Sequence, residues 1–432
     1  MSNDATTAYR ALSALVTPVD AKITIRKDQT KPYVGLEHIP SRGAHLTDWA
    51  LASTSISTNA IFRAGDVLFG KLRPNLRKCV VAPFDGYCST DILVLRANEH
   101  TDPSFAGKVL RSELVGTAAE MTSVGTKMPR TSWKHLSALE VFCPSLCEQS
   151  KIAYVLDTLD TAIHETEAII AKLKAVKQGL LHDLLTRGID ASGELRPPQP
   201  EAPHLYKPSP LGWVPKEWEC CQAASVLIGI DAGKSPDCQD IPAASDQWGV
   251  LKVGAVHPDG LRLEENKVVE VEDLKNPAYL IRRGDLLLSR ANTFELVGLV
   301  CHVTSDPKNL MLSDKTLRLS VRDSRITTRF MFWQLQHPRS RTQIEIAATG
   351  TSGSMKNISQ SSVEKMWIVR PSLNEQNEIC SRLDAIACRY EVEMNGCSKL
   401  RKLKSGLMDD LLTGHVRVTP LLAEGEQQEG GI

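Results

Sequence analysis

Two kinds of loop in this chain carry side chains suited to reading nucleic acid, and each kind occurs twice. Gly70-Lys71-Leu72-Arg73-Pro74-Asn75-Leu76-Arg77-Lys78 follows the apolar run Val67-Leu68-Phe69, and Ser289-Arg290-Ala291-Asn292-Thr293 follows Leu286-Leu287-Leu288. The second pair is Gly125-Thr126-Lys127-Met128-Pro129-Arg130 and Ser352-Gly353-Ser354-Met355-Lys356-Asn357. Arg and Lys suit guanine edges in the major groove, Asn suits adenine, and the same groups hold phosphates. Any one of these loops alone reads more readily as a solvated turn. Their recurrence at matching places, with different side chains on one framework, points to two readers of two sequences. The candidate DNA-binding residues are Lys71, Arg73, Asn75, Arg77, Lys78, Lys127, Arg130, Ser289, Arg290, Asn292, Thr293, Lys356 and Asn357.

Catalytic patterns are missing from the sequence. It contains no phosphate-cradling G-x-x-x-x-G-K-[ST], no G-x-G-x-x-G after a strand, no G-x-S-x-G and no H-E-x-x-H. The Asn/Asp-Pro-Pro-aromatic motif of amino-methyltransferases is absent too. The 11 cysteines form no Cys-x-x-Cys pair and have no histidine pair nearby, so reduced thiols in a cytoplasm are expected, with no metal site. No catalytic residue and no cofactor is expected.

The elements that must hold the loops are duplicated at a period of about 227 residues. Pro144-Ser145-Leu146-Cys147-Glu148-Gln149 returns as Pro371-Ser372-Leu373-Asn374-Glu375-Gln376, and Gly179-Leu180-Leu181 as Gly406-Leu407-Met408. So long a period is not a solenoid repeat; it is a whole domain with its connector. Short apolar runs bounded by Gly, Asp or Pro predict strands at Ile61-Phe62, Val67–Phe69 and Ile92–Leu95. Their counterparts are taken as Val250–Val253, Leu286–Leu288 and Leu317–Val321. Helical patches at 105–119 and 328–336 make each copy α+β.

Each copy then ends in a long helix. Ile152, Val155, Leu159, Ile163, Thr166, Ile170, Leu173, Val176, Leu180 and Leu184 are spaced by threes and fours. Ile379, Leu383, Ile386, Tyr390, Met394, Cys397, Leu400, Leu403, Leu407 and Leu411 repeat the stripe. At ~1.5 Å per residue each helix is about 60 Å long. Two narrow stripes in one chain are expected to bury each other, antiparallel, as a coiled coil. The expected fold class is α+β, with two similar domains separated by a pair of long antiparallel helices and related by a pseudo-two-fold internal duplication. The expected divisions are a first domain at 1–143, a central helix at 144–190 and a Pro-rich, stiff linker at 191–210. A second domain at 211–370, a C-terminal helix at 371–416 and a disordered tail at 417–432 follow.

Composition is that of an ordinary globular protein, with 42% apolar and 24% charged residues, no signal peptide and no membrane span. Lys+Arg and Asp+Glu both number 51, which alone argues against a nucleic-acid binder. The distribution is uneven, however. Arg63–Lys78 holds five basic residues and one acidic; Lys315–Arg341 holds seven basic residues and only Asp323.

Taken together, the chain resembles the specificity subunit of type I restriction-modification systems. The resemblance is carried by Gly65-Asp66-Val67-Leu68-Phe69 with Gly284-Asp285-Leu286-Leu287-Leu288-Ser289-Arg290, by the two Pro-x-x-x-Glu-Gln openings, and by the helix ends near Leu180 and Leu407. Gly212-Trp213-Val214-Pro215-x-x-Trp218 looks like the family's usual start of a recognition domain; the first copy lacks it and enters through Lys31-Pro32-Tyr33-Val34-Gly35-Leu36. The resemblance implies a non-catalytic subunit whose two domains are target-recognition domains, each reading half of an asymmetric, bipartite site on double-stranded DNA. It also implies two methyltransferase (modification) subunits, which bind S-adenosylmethionine, and restriction subunits, which carry ATP-driven translocation and cleavage. Lys172, Lys174, Lys177, Lys399, Arg401, Lys402 and Lys404 flank the stripes as a docking surface for the methyltransferases. The alternative that the residues leave open is a two-domain coiled-coil scaffold binding protein and not DNA.

Overall fold

The computed structural model describes residues 9–25, 30–43, 45–46, 48–52, 58–350 and 355–419. The chain divides into two compact units, Met1–Ile169 with Glu393–Ile432, and Ile170–Val392. Each unit therefore holds one recognition domain and a half of each long helix.

In the first unit an antiparallel four-stranded sheet runs in the order Val16–Pro18, Ile92–Ala97, Val67–Gly70, Cys79–Val81. A second sheet orders Lys22–Thr24, Thr58–Phe62, Gly86–Ser89, Pro32–Val34 and Ala50–Leu51, with Pro32–Val34 parallel to Gly86–Ser89. The predicted helical patch is two helices, Pro103–Leu110 and Glu113–Met121. They part at Ser112, whose hydroxyl accepts from the Val115 N–H and caps the second helix, while Asp102 caps the first. Phe105, Val109 and Leu110 pack on Val67, Phe69 and Leu95 in one core. That core takes in Ile152 and Leu156 from the first long helix (Leu146–Thr186), and Leu411 and Leu412 from the second (Leu373–Leu412).

The second unit repeats this plan. Its four-stranded sheet orders Leu227–Ala232, Thr316–Val321, Leu286–Ser289 and Val300–His302. Helix Thr328–Gln336 covers it, with Leu184, Leu185, Ile379 and Leu383 of the two long helices joining the core. Val250-Leu251 lies in a strand that is antiparallel to Asn266–Val269 and parallel to Leu310–Met311. That is the place of Pro32–Val34 in the first unit, not of Ile61-Phe62 as the apolar runs suggested. By the same topology, Tyr9–Ala11 on Glu140–Phe142 matches Glu219–Gln222 on Trp367–Arg370. Lys31–Leu36 is thus interior to the first domain, whose described residues begin at Tyr9.

The long helices are 41 and 40 residues. Within each unit their segments run antiparallel: Arg401 pairs with Glu167 in the first, and Lys177 lies 5.6 Å from the Tyr390 ring centre in the second. Burial along the stripes is uneven. Ile152, Leu184, Ile379, Leu383 and Leu411 are buried, whereas Val176, Met394 and Leu403 are exposed. Mutual burial accounts for only part of the stripe, because the recognition domains cover the helix ends.

Both helices stop at a left-handed glycine, Gly188 (φ 66°) and Gly414 (φ 73°). A Cβ at 188 would also fall 2.3 Å from Glu375 Oε1. The Pro-rich segment is not a free connector. Arg196 and Tyr206 are buried, and Tyr206–Ser209 pairs with Gly212–Pro215. Of the expected tail, Val418 is buried and Arg417 is ion-paired; residues 420–432 lie outside the described residues.

The Pro-x-x-x-Glu-Gln openings act in pairs. Gln149 and Gln376 each donate to the proline carbonyl at the head of the motif (Pro144, 2.9 Å; Pro371, 3.0 Å) and accept a backbone N–H from Asp102 or Thr327. Glu148 takes both ends of the Arg417 guanidinium at 2.7 Å, and Glu375 takes Arg196 at 2.6 Å. The tail after each helix thus clasps the start of the other, one clasp in each unit.

All 11 cysteines are free thiols, and burial pushes Cys79, Cys88, Cys301 and Cys380 up to about 12. No helix among the described residues is long and apolar enough to cross a membrane.

His337 gives the second unit a pH signature. It is 4% exposed and its Nδ1 accepts the Arg339 backbone N–H at 3.1 Å. Burial, then the charges of Arg339 and His182, pushes its pKa down from 6.5 to about 4. Because the folded value is depressed, the unfolded chain takes up a proton first as pH falls. Stability is full above pH 6.5 and declines from there to about pH 4. The loss should be about 3 kcal/mol. Urea unfolding across that range checks it: the slope should flatten in His337→Asn, and an unchanged slope would remove His337 as the cause.

Candidate nucleic-acid interface

Within each unit the loop of the first kind is hydrogen-bonded to the loop of the second kind, a contact the sequence did not predict. In the first unit, Leu72 bridges Arg130, the Thr131 N–H donates to Lys71 O at 3.0 Å and the Arg73 N–H to Pro129 O at 2.8 Å. In the second, Ala291-Asn292 pairs with Lys356-Asn357, and the Ile358 N–H donates to Arg290 O at 2.9 Å. Each reader is therefore one platform built from two distant loops, springing from the end of a fully buried strand, Val67–Gly70 or Leu286–Ser289. The Ser352-Gly353-Ser354 part of the second platform lies outside the described residues.

The candidate side chains sort by what holds them. Arg73 sits at φ 52°, a left-handed conformation uncommon outside glycine, and its side chain is exposed. Among the described residues Lys71, Arg73, Asn75 and Lys127 make no side-chain hydrogen bond or ion pair. Arg290, Thr293 and Asn357 are likewise unengaged and half-buried. These seven are available to a ligand.

The others already have structural work. The Arg77 guanidinium meets Glu120 at 2.7 Å and Glu113 at 3.3 Å, so tightly packed that a Cβ on Gly116 would overlap it. Arg130 lies bidentate on Asp91 at 3.0 and 3.3 Å, which raises its pKa further. Lys78 donates to Leu36 O at 2.6 Å and Lys356 to Gly350 O at 2.7 Å. Asn292 folds back, its Oδ1 accepting the Thr293 N–H at 2.9 Å and its Nδ2 donating to Val253 O at 3.4 Å. Ser289 is 1% exposed, in the core behind the platform, and presents nothing to a surface.

The basic run Lys315–Arg341 is also largely consumed. Arg318 pairs with Asp231 and Asp285, Arg329 with Asp384, and Arg341 with Glu345. Arg341 is a residue that sequence reasoning missed. Its guanidinium donates to the carbonyls of Phe294 and Val297 and so fixes the loop after Thr293. Its i,i+4 spacing to Glu345 was visible, but its reach across 44 residues to Val297 was not. The Gly-Asp motifs are framework too: Asp66 and Asp285 each accept the N–H three residues upstream and meet Arg96 or Arg318 from the neighbouring strand.

Residues 19–175 match the family model described as the type I restriction modification DNA specificity domain. The type I restriction enzyme EcoEI specificity subunit of Escherichia coli is 31% identical over 172 residues, 40% of this chain and 29% of that subunit's length. The type I restriction enzyme MjaVIII specificity subunit of Methanocaldococcus jannaschii is 24% identical over 305 residues, 69% of this chain and 67% of that one. A crystal structure of the type I restriction-modification system S subunit from M. genitalium shares the fold, with a TM-score of 0.62 at 12% identity over 95% of this chain and 98% of that one. Residues 19–175 thus match the DNA specificity domain of type I restriction-modification systems, and the chain as a whole, with its duplicated α+β domains and paired long helices, is similar to specificity subunits of that type and shares their fold.

Proposed function

We propose that this chain is the non-catalytic DNA-sequence-specificity subunit of a type I complex, each platform reading one half of a bipartite, asymmetric site. The observation that carries the reading is the repetition of one hydrogen-bonded scaffold with different unengaged side chains. Lys71, Arg73, Asn75 and Lys127 face one half-site; Arg290, Thr293 and Asn357 face the other. A shared framework fixes how each loop pair meets the groove, and the differing side chains set which bases it accepts.

Partners follow from the helices. Lys172, Lys174, Lys399 and Lys402 are exposed, as are Ile169, Val176, Val392, Met394 and Leu403 on the same two elements. We assign these faces to methyltransferase subunits, one for each copy of the repeat, with restriction subunits joining the assembly. Co-expression and native mass measurement should give two methyltransferase subunits per chain.

Arg73→Ala should weaken binding to sites matched in one half, and Arg290→Ala to sites matched in the other. Each should lose about 1–3 kcal/mol, or roughly 5- to 150-fold in affinity. Titration of the assembled complex against duplexes altered in either half-site separates the two. If both variants bind both series like the parent while complex formation persists, the platforms do not read DNA and the scaffold alternative holds.

A further inference from the structure

The first unit contains a cavity of about 900 Å³ behind its first reading loop. Its walls come from the Ser41–Gly43 turn, the start of helix Glu113–Met121, the long-helix segments of that unit, and Gly70, Pro74, Arg77 and Lys78 of the reading loop, whose Arg77 and Lys78 are held by structural contacts. Six cations line it: Arg42, Arg77, Lys78, Arg111, Arg401 and Lys404. Four carboxylates oppose them: Glu113, Asp160, Glu167 and Asp409. His45 and His164 lie at the same wall, their ring centres 5.7 Å apart. At its base the Asp160 carboxylate, 3% exposed, is shared by Lys108 (2.5 Å), Arg111 (3.1 Å) and Lys404. Arg111 Nη1 is buried with no hydrogen-bond partner among the described residues.

The internal duplication shows that the fold does not need this charge. The second unit keeps the surrounding framework: Asp384 accepts from Trp333 Nε1 at 2.8 Å where Asp157 meets Lys108 at 2.5 Å. Yet it has Trp333 in place of Lys108, Gln336 in place of Arg111 and Ala387 in place of Asp160. Lys177, the counterpart of Lys404, lies over the Trp333 and Tyr390 rings instead of on a carboxylate. Well-packed apolar groups commonly match or exceed a buried ion cluster in stability. The unpartnered donor itself recurs in the second unit as Gln336 Nε2, but the charge cluster, with its surplus of cations lining a cavity, is kept in one copy only and therefore points to an anionic ligand of that copy.

We infer that this cavity binds a phosphate-bearing anion, with Arg111 and Lys404 as its inner ligands and Arg42 at its rim. The exposed first turn of helix Glu113–Met121, capped by Ser112, supplies backbone N–H groups on the same wall, a geometry that favours phosphate. The volume suits a nucleotide. A backbone phosphate of bound DNA offers the same chemistry, so the experiment must tell the two sources apart.

The test is calorimetric titration of the full chain with pyrophosphate and, separately, with ATP. Saturable binding tighter than about 1 mM is expected, weakened about tenfold or more in Arg111→Gln, which installs the side chain the second unit uses. Arg42→Ala, at an exposed position, should weaken it a few-fold and guards against a folding defect at Arg111. Gln336→Arg should leave it unchanged. If a cognate duplex displaces the bound ATP, the phosphate comes from DNA; if the duplex and ATP bind together, it is a free nucleotide. Absence of saturation with both probes overturns the inference, as does equal binding by Arg111→Gln and Arg42→Ala. Neither result touches the platforms, whose half-site discrimination is measured separately.

Discussion

Glu375→Ala is expected to destabilise the second unit by about 3–5 kcal/mol, a large share of the ~5–15 kcal/mol that holds a domain folded. The carboxylate accepts from Arg196 Nη1 at 2.6 Å, the Ile189 N–H at 2.8 Å and Trp218 Nε1 at 3.1 Å. Alanine strands the Ile189 N–H and Trp218 Nε1, and it leaves Arg196, 7% exposed at its side chain, without its buried counter-charge, its Nη1 holding only the Arg187 carbonyl at 3.1 Å. Glu217 remains on Arg196 but is itself largely exposed, so it offsets little of the loss. Glu375→Gln keeps an acceptor without the charge and should fall between parent and alanine. Denaturant unfolding followed by tryptophan emission reports it, since Trp218 and Trp333 are buried in this unit. In the first unit Arg417 is half exposed, so Arg417→Ala should cost less. A loss below about 1 kcal/mol for Glu375→Ala would mean that the clasp is ornamental.

Asp160→Asn should destabilise the first unit by a similar ~3–5 kcal/mol, because three cations lose their shared anion and only Lys108 retains another, Asp157. Burial alone would raise the Asp160 carboxyl, but Arg111 and Lys108, with hydrogen bonds from Lys108 and Lys404, hold it below the usual carboxylate range. The folded pKa is depressed, so the stabilisation is complete above the ordinary carboxylate pKa and fades as pH falls below it. The parent should therefore lose stability in strong acid faster than Asp160→Asn, and the two should converge there. Parallel curves from pH 7 into acid would show that the carboxylate is not what the cations need.

The duplication, the two long helices and the recurrence of the loops were legible because they rest on local signals: repeated motifs, a 3.6-residue period, Gly after the last turn. What escaped are the long-range choices. Periodicity said that two stripes must be covered, but not that the domains cover Ile152 and Leu184 while Val176 and Leu403 stay exposed. Short apolar runs said strand, but Val250-Leu251 was matched to Ile61-Phe62 because order along the chain does not reveal which strands are parallel. Proline content suggested a linker, yet Arg196 and Tyr206 within it are core residues. Counting cations misjudged Arg77, Arg130 and Arg318, since a carboxylate 39 or more residues away decides whether an Arg is free.

The way the chain is partitioned sets an order for its synthesis. Residues 170–392 make up the second unit without interruption, so it can complete its core as soon as it leaves the ribosome. The first unit cannot: Ile152 and Leu156 wait for Leu411 and Leu412, and Glu148 waits for Arg417. At about 5–20 residues per second, that leaves the first reader unfinished for roughly 10–45 s while the second is being made. A chain interrupted shortly before Leu411 should therefore lose the reader encoded first and keep the one encoded last.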